Sequence, residues 1–381
     1  MVIFFYIILI FLLAYGTMID FYRRSWNQIP DFSIEKNRSN RFESKVTIII
    51  PARNEEASIS SCLNSLKAQS YPSSLIEIIV INDHSTDRTA EIVKAYSANN
   101  VRLINLEEYV DQEPINSYKK KSIEVGIGLS SAEWILCTDA DCILPFEWIE
   151  SLVSFFEKEK SVFIAAPVRI FGGKSLLSVF QSLDFACLQG ITGAVVFKKI
   201  HCMCNGANLA YEKKIFSEID GFNGIDQLAS GDDMLLMQKF FDHYPDRISF
   251  LKSQEAIVTT DPAQSWKAFF NQRIRWASKT RGYKDRALVW NMFFVFTINL
   301  FLGIFLIFCC WNPYWLLGFL FLILLKSILE FPFVKTLAGF FGLSKRLKYF
   351  FFLQPLHIFY MIIAGLLGNF PGYEWKGRRV K

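Results

Sequence analysis

What this sequence lacks narrows it first. It has no Gly-x-Gly-x-x-Gly turn and no Gly-Lys-Ser/Thr phosphate loop, so dinucleotide-binding and P-loop readings lose support. Its eight cysteines form no disulfide ladder. Cys202-Met203-Cys204 and Cys309-Cys310 lack the two-pair spacing of a zinc site, and His201 has no further ligand at metal spacing. Reduced thiols and small apolar residues are the plain reading. A strong charge of either sign is missing too: 41 Lys and Arg against 36 Asp and Glu give +5, too mild to argue for nucleic acid. No internal repeat or low-complexity segment is present.

Apolar residues are what the chain has in excess. Of 381 residues 52% are hydrophobic, and the mean hydropathy of +0.25 is high for a wholly soluble protein. Most of the excess among the 38 Phe sits at the two ends, around a mixed, charged middle. Val2–Ile19 is nearly uncharged and long enough to cross a ~30 Å hydrocarbon core. No basic segment or small-residue cleavage site accompanies it, and Arg23 and Arg24 follow, so it reads as an uncleaved anchor with the next domain inside. Further spans are expected at Met292–Cys310, Tyr314–Val334 and Tyr349–Gly368, with Asn312-Pro313 as the turn between the first two of these. Basic residues beside these segments (Arg23, Arg24, Lys345, Arg346, Lys348, Arg378, Arg379) fit an anionic inner membrane face. Four crossings would place Lys376, Arg378, Arg379 and Lys381 outside, against that tendency, so 349–368 either spans or is re-entrant near Pro355. The expectation is an integral membrane protein, of a bacterial inner or cell membrane, with a cytosolic middle.

That middle alternates between two periods. Strand-like runs at Lys45–Ile50, Leu75–Ile81, Val101–Leu106, Trp134–Thr138 and Val162–Val168 enclose helical patterns at Glu56–Gln69, Asp87–Ser97, Ser117–Leu129 and Phe146–Lys158. Such alternation predicts an α/β, Rossmann-like domain with a mainly parallel sheet. Ligands bind beyond the carboxyl ends of such strands. The expected divisions are 1–24 as anchor, 25–44 as linker, 45–282 as catalytic domain and 283–381 as a membrane or interfacial region with two to three further helices. Ser175–Leu188 has helical spacing and reads equally as a bilayer-surface helix or a core helix.

The strand-end loops carry the candidate chemistry. Pro51-Ala52-Arg53-Asn54-Glu55-Glu56 follows the first strand, Asn82-Asp83-His84-Ser85-Thr86-Asp87 the second, and Asp139-Ala140-Asp141 the fourth. Asp87 suits a helix N-cap as well as a site, whereas Asp83 could accept from a base N–H or a ribose hydroxyl. Two carboxylates two apart at a strand end suit Mg²⁺ or Mn²⁺, which take one or two carboxylates plus phosphate oxygens and water. Lys119-Lys120-Lys121 opens a helix-like run and by itself reads as a solvated charge cluster. Gly231-Asp232-Asp233 precedes Met234-Leu235-Leu236; its acids could favour a helix N-terminus or supply a base. Gln272, Arg275 and Trp276 share one face of an expected helix, offering an amide, a guanidinium and a flat ring. The competing reading is an interfacial aromatic-plus-basic belt before a membrane span, serious for Arg273 and Arg281 and weaker for Arg275 and Trp276.

Taken together, Pro51–Glu55, Asn82–Asp87, Lys119-Lys120, Asp139–Asp141, Asn205-Gly206-Ala207-Asn208, Gly231–Asp233 and Gln272–Trp276 resemble a membrane-bound family 2 glycosyltransferase with the GT-A fold. The likeness covers roughly Lys45 to Gly282 and the flanking membrane segments. Asn82 departs from the usual paired acids, so Asp83 carries that match. The resemblance implies an inverting, metal-dependent transfer from a UDP-sugar to a lipid or glycan hydroxyl. It implies donor contacts from Pro51, Arg53, Glu55, Asp83, Lys119 and Asp139. Asp141 with Asp139 would bind Mg²⁺ or Mn²⁺, and Asp233, with Asp232 next in line, would be the base. Gln272, Arg275 and Trp276 would meet the diphosphate and acceptor. A processive polysaccharide synthase and an inactive nucleotide-binding regulator are the competing readings. The few spans, dense in Phe, Leu and Ile, favour short transfer to a lipid acceptor, although oligomerisation could assemble a pore. Lys326 and Glu330, one helical turn apart, could pair within a span.

Overall fold

The β-branched runs become strands because they can be buried on both faces. The computed structural model describes residues 1–34, 42–110, 115–228, 231–278, 282–368, 373–375 and 378–380. In chain order the elements are α1 (Val2–Gln28), β1 (Val46–Ala52), α2 (Ile59–Lys67), β2 (Ile76–Asn82), α3 (Thr89–Lys94), β3 (Val101–Asn105), α4 (Tyr118–Leu129), β4 (Trp134–Cys137), β5 (Cys142–Ile143), α5 (Trp148–Glu159), β6 (Phe163–Ala165), β7 (Val168–Ile170), α6 (Leu176–Phe197), β8 (Leu209–Glu212), α7 (Lys213–Glu218), α8 (Met234–His243), β9 (Ile248–Phe250), β10 (Val258–Thr260), α9 (Trp266–Ser278), α10 (Arg286–Cys309), α11 (Trp315–Phe340) and α12 (Phe350–Leu367). A short two-stranded ribbon, Tyr373–Trp375 with Arg378–Val380, follows. Arg281, Lys376 and Lys381 lie outside the described residues.

Two compact units interleave along the chain. One comprises Met1–Gln28, Ile170–Val195 and Pro262–Tyr373; the other comprises Ile29–Arg169, Val196–Asp261 and Glu374–Lys381. The segments 170–195 and 262–282, part of one continuous stretch by sequence, therefore group with the long helices.

The second unit holds a seven-stranded sheet of order β3-β2-β1-β4-β8-β6-β9. β1 pairs in parallel with β2 and β4, and β2 with β3; β8 runs antiparallel to β4 and β6, and β9 returns parallel to β6. The sheet is thus mixed but mainly parallel. Val46, Ile48, Ile49 and Ile50 are fully buried, each worth roughly 1.5–3 kcal/mol of burial. Pro51 ends this run, and β4 pairs with β1 only as far as Ile49, so a residue without an N–H is tolerated there. Thr47, also buried, donates to Glu77 Oε2 (2.8 Å) and accepts from Ser130 Oγ (2.7 Å).

One expectation needs correction. The run Val162–Val168 is not a single strand: β6 belongs to the large sheet and β7 to a three-stranded sheet of order β5-β10-β7. Ala166 and Pro167 separate them, and the Pro167 carbonyl accepts from Asn208 Nδ2 (2.8 Å) and from the Val258 N–H (3.1 Å).

In the first unit α1 lies along α11, and α10 against α12. Five of the described helices are long and apolar enough to cross a membrane: α1, α6, α10, α11 and the stretch Ser344–Leu367 containing α12. The last is continuous over Phe350–Leu367 with Pro355 inside it. Helices approach closely at Gly190, where a side chain would meet Leu337 and Phe333, and at Gly16 beside Leu329. The rings of Phe4 and Phe11 of α1 meet that of Phe301 of α10 at 5.5 Å, the first edge-on and the second tilted.

Candidate active site

The order β3-β2-β1-β4 reverses direction between β1 and β4, which opens a crevice beyond their carboxyl ends. The loops after β1 and β2 clasp each other there. Arg53 Nη1 donates to the Asp83 and His84 carbonyls (2.9 and 3.0 Å). The Thr86 N–H donates to Asn54 Oδ1 (2.8 Å), the Glu55 N–H to Thr89 Oγ1 (2.7 Å) and the Glu56 N–H to Asp87 Oδ2 (3.0 Å). Asn54 and His84 both adopt left-handed backbone, φ 51° and 50°. Neither is glycine, so the clasp holds a small conformational strain at each loop. Arg53 and Glu55 therefore hold the loops together, the Glu55 carboxylate also accepting from Ser58 Oγ (2.7 Å). Asp87 accepts from the Thr89 N–H (3.0 Å), but the N-cap position of α3 is held by Arg88.

Asp83 is buried, its N–H donates to the Ala52 carbonyl (2.8 Å), and its Oδ1 lies 3.0 Å from His84 Nδ1. Asn82, the departure from paired acids, bonds Asn105 Oδ1 (3.1 Å) and accepts from the Ser85 N–H (3.1 Å). An amide can do both at once; a carboxylate could not donate.

Lys119 is the centre of the charge arrangement. Its Nζ stands 2.8 Å from Asp139 Oδ1 and 2.9 Å from Asp232 Oδ2. Burial disfavours its charge, but the two carboxylates outweigh that and hold its pKa well above the ordinary lysine value. Gly206 lies at this point, since a side chain there would come within 3.1 Å of Asp232 Oδ2 and 3.2 Å of Lys119 Nζ. Its neighbour Asn208, fully buried, takes the Trp148 indole N–H (2.9 Å) and gives to the Pro167 and Ala256 carbonyls (2.8 Å each). Lys120 does something else: buried, it caps the carbonyls of Ile225 (2.5 Å) and Leu228 (2.7 Å). Lys121 pairs with Glu124 on the surface (2.8 Å).

Asp233 is the N-cap of α8, its carboxylate accepting from the Met234 N–H (2.7 Å), and it is buried. Gly231 makes this turn possible with φ 85°. Asp141, in contrast, is exposed. The Cys142 thiol, 3.6 Å from Asp141 Oδ1, is pushed up by burial and then by the charges of Asp141 and Asp139. Among the described residues no three His, Cys, Asp or Glu converge as a ready-made metal cage. The pair Asp139 and Asp141 nevertheless fits Mg²⁺ or Mn²⁺, which keep most positions for phosphate and water.

Gln272, Arg275 and Trp276 lie together on α9 in the other unit. Arg275 is half-buried, and it is Arg273 that is buried. The Arg273 guanidinium lies over Trp276 (4.4 Å) and Phe269 (5.1 Å), with Asp184 Oδ2 2.7 Å from its Nη2. The interfacial-belt reading of Arg273 is thereby replaced. Asp184, the capping role of Lys120 and the Lys119–Asp232 contact escaped the sequence reading; the available signal for Asp184 was a lone acid within an apolar helix.

Residues 47–220 match the model of glycosyl transferase family 2, and residues 134–366 that of glycosyl transferase family group 2. The chain is 30% identical over 252 residues to the probable glycosyltransferase YdaM of Bacillus subtilis, covering 64% of this chain and 57% of that one. It is 30% identical over 149 residues to the poly-beta-1,6-N-acetyl-D-glucosamine synthase of Staphylococcus epidermidis, covering 38% and 34%. The matched region thus spans between a third and just over half of these relatives. The mannosyltransferase PcManGT from Pyrobaculum calidifontis, solved with GDP-Man and Mn²⁺, superposes with a TM-score of 0.55 over 96% of this chain and 98% of its own, at 16% identity. That likeness is one of fold.

Proposed function

This chain belongs to the family 2 glycosyl transferases, and from that premise we propose that it is a glycosyltransferase that moves a sugar from a UDP-sugar to a hydroxyl of a lipid-linked acceptor at a membrane face, with inversion. The observation that carries this reading is Lys119 drawn between Asp139 and Asp232 at the crevice. Three charges, one from the first turn of α4 and two from the loops after β4 and before α8, meet where a donor diphosphate would lie. Asp83 accepts from the base or ribose. Asp139 orients the donor sugar, and Lys119 faces the diphosphate. Asp141, with Asp139, would hold Mg²⁺ or Mn²⁺, which when bound neutralises the charge growing on the leaving diphosphate. Asp233 takes the proton of the acceptor hydroxyl as that oxygen attacks the anomeric carbon, and Asp232 stands next in line. Gln272, Arg275 and Trp276 serve the diphosphate and acceptor.

Membrane attachment rests on the long apolar helices α1, α10, α11 and α12. α6 is long and apolar enough as well, but 83% of its apolar stretch is buried within the protein, against 22–39% for the other four. That leaves few helices to enclose a path for a polymer, whose hydroxyls are costly to bury unpaired.

A second reading, a processive polysaccharide synthase, is favoured by the relative that makes poly-N-acetylglucosamine. Product chromatography after incubation with a panel of UDP-sugars, Mn²⁺ and a bacterial lipid extract separates the two. An organic-soluble glycolipid supports lipid transfer. A water-soluble, high-mass polymer establishes the synthase instead, and no UDP release from any donor removes the UDP-sugar assignment.

A further inference from the structure

Two adjacent residues of α6 grip two residues of α9 that lie one turn apart. Asp184 Oδ2 is 2.7 Å from Arg273 Nη2, and the Phe185 ring packs at 5.8 Å against that of Trp276. The Arg273 guanidinium in turn lies 4.4 Å from the Trp276 ring centre, within reach of a cation–π contact. Trp276 is therefore held from α6 twice, once by Phe185 and once through the Asp184–Arg273 pair.

Asp184 is itself fixed from a third helix. Tyr360 of α12 donates to its Oδ1 (2.7 Å), and His357 Nε2 lies 3.9 Å from the same oxygen. His357 Nδ1 is 3.5 Å from Lys326 Nζ. Lys326 pairs with Glu330 (2.6 Å) and donates to Gln354 Oε1 (2.9 Å), while Tyr15 of α1 donates to Glu330 Oε1 (2.5 Å). The expected Lys326–Glu330 pair is thus one end of a buried polar chain that runs across α1, α11, α12 and α6 to α9. Its charges balance, two cations against two anions.

Helices held only by apolar side chains can slide or rotate by a fraction of a turn at small cost. A buried ion pair resists this, because displacing either partner leaves a charge without compensation. We propose that Asp184 is a positioning residue: through Arg273 it sets the plane of the Trp276 ring and so governs use of the acceptor. The inference rests on Trp276 serving the acceptor, as read above. It adds that the setting of that ring is fixed from within the helical bundle.

The test uses the full chain in lipid nanodiscs. Asp184→Asn keeps the volume and can still accept from Tyr360, but it removes the charge that holds Arg273. Transfer to a bacterial lipid extract should fall ten- to hundredfold, as a catalytic geometry displaced by about 1 Å does, mainly through a raised apparent KM for the extract. UDP affinity and hydrolysis of the same UDP-sugar in water should stay within twofold. Asp184→Glu should recover part of the transfer, and Tyr360→Phe should lose less than Asp184→Asn. Transfer within twofold of the parent overturns the proposal, and so does an equal loss of UDP affinity, hydrolysis and transfer. If Asp184→Asn does not fold, Tyr360→Phe decides by the same split. A readout independent of turnover is ¹⁹F NMR with 5-fluorotryptophan, the Trp276 line being assigned by Trp276→Phe. Asp184→Asn should move that line, and an unmoved line overturns the inference even if no donor is accepted. A parent without UDP-sugar turnover instead fails the reading of function.

Discussion

The Lys119 ammonium stands 2.9 Å from the Asp232 carboxylate, tying the first turn of α4 to the residue that precedes the α8 cap. Because Asp139 holds the same nitrogen from beyond the end of β4, one side chain ties α4 to two loops. Lys119→Met should lower UDP affinity by ten- to hundredfold, the worth of one hydrogen bond to a charged group at roughly 1.5–3 kcal/mol. Calorimetric titration with UDP checks this, and undiminished affinity would move the diphosphate away from Lys119. The folded pKa is raised, so the stabilising charge is fully present below the ordinary lysine value and is lost only as pH rises through the raised one. Lys119 therefore contributes no limb to a pH–rate profile near neutrality.

Asp233→Asn separates two roles held by one carboxylate. Asparagine caps helices about as well as aspartate, so the melting temperature should hardly change. Transfer should fall by at least ~10²-fold, the lower range for removing a general base, with UDP affinity retained. Near-normal turnover would pass the base role to Asp232.

The sheet was legible because β1, β2 and β4 are apolar runs with turn-forming or polar residues at or just beyond their last positions: Pro51, Asn82-Asp83 and Asp139. The loops of the crevice follow from those endings. What stayed hidden are contacts between residues far apart in sequence. Nothing in the periodicity of α9 says whether its Gln272-Arg275-Trp276 face or its Phe269-Arg273-Trp276 face receives an acid, since both satisfy helical spacing equally. The choice is made by Asp184, on a helix that local patterning cannot align with α9. In the same way three successive lysines look alike in the sequence. The α4 turn sends Lys119 to the acids, Lys120 to buried carbonyls and Lys121 to the surface.

Asp141→Asn should weaken metal-dependent donor binding. Asp141 is exposed, and among the described residues no third acid, His or Cys joins it in a metal-holding group. Losing one charge at a site with few protein ligands is poorly compensated. Titrating UDP with and without Mn²⁺ gives the result directly: the metal should enhance binding in the parent and much less in the variant. Equal enhancement in both would place the ion elsewhere.

Glu77 supplies a pH-dependent share of stability that is separable from catalysis. Burial alone would raise its pKa, but hydrogen bonds from Ser131, Thr47 and Arg102 outweigh this and hold it below the usual glutamate value. A depressed carboxylate stabilises the fold above its unfolded pKa of roughly 4.3. That contribution is lost as pH falls through the lower folded value. Glu77→Gln should therefore destabilise the protein at pH 7 by about 1–2 kcal/mol, since the charged acceptor of those hydrogen bonds is gone. The gap between parent and variant should close as the solution is acidified below the folded pKa. Denaturant midpoints followed across that range measure it. A gap that stays constant down to the acid limit would mean that Glu77 acts through packing and not through its charge.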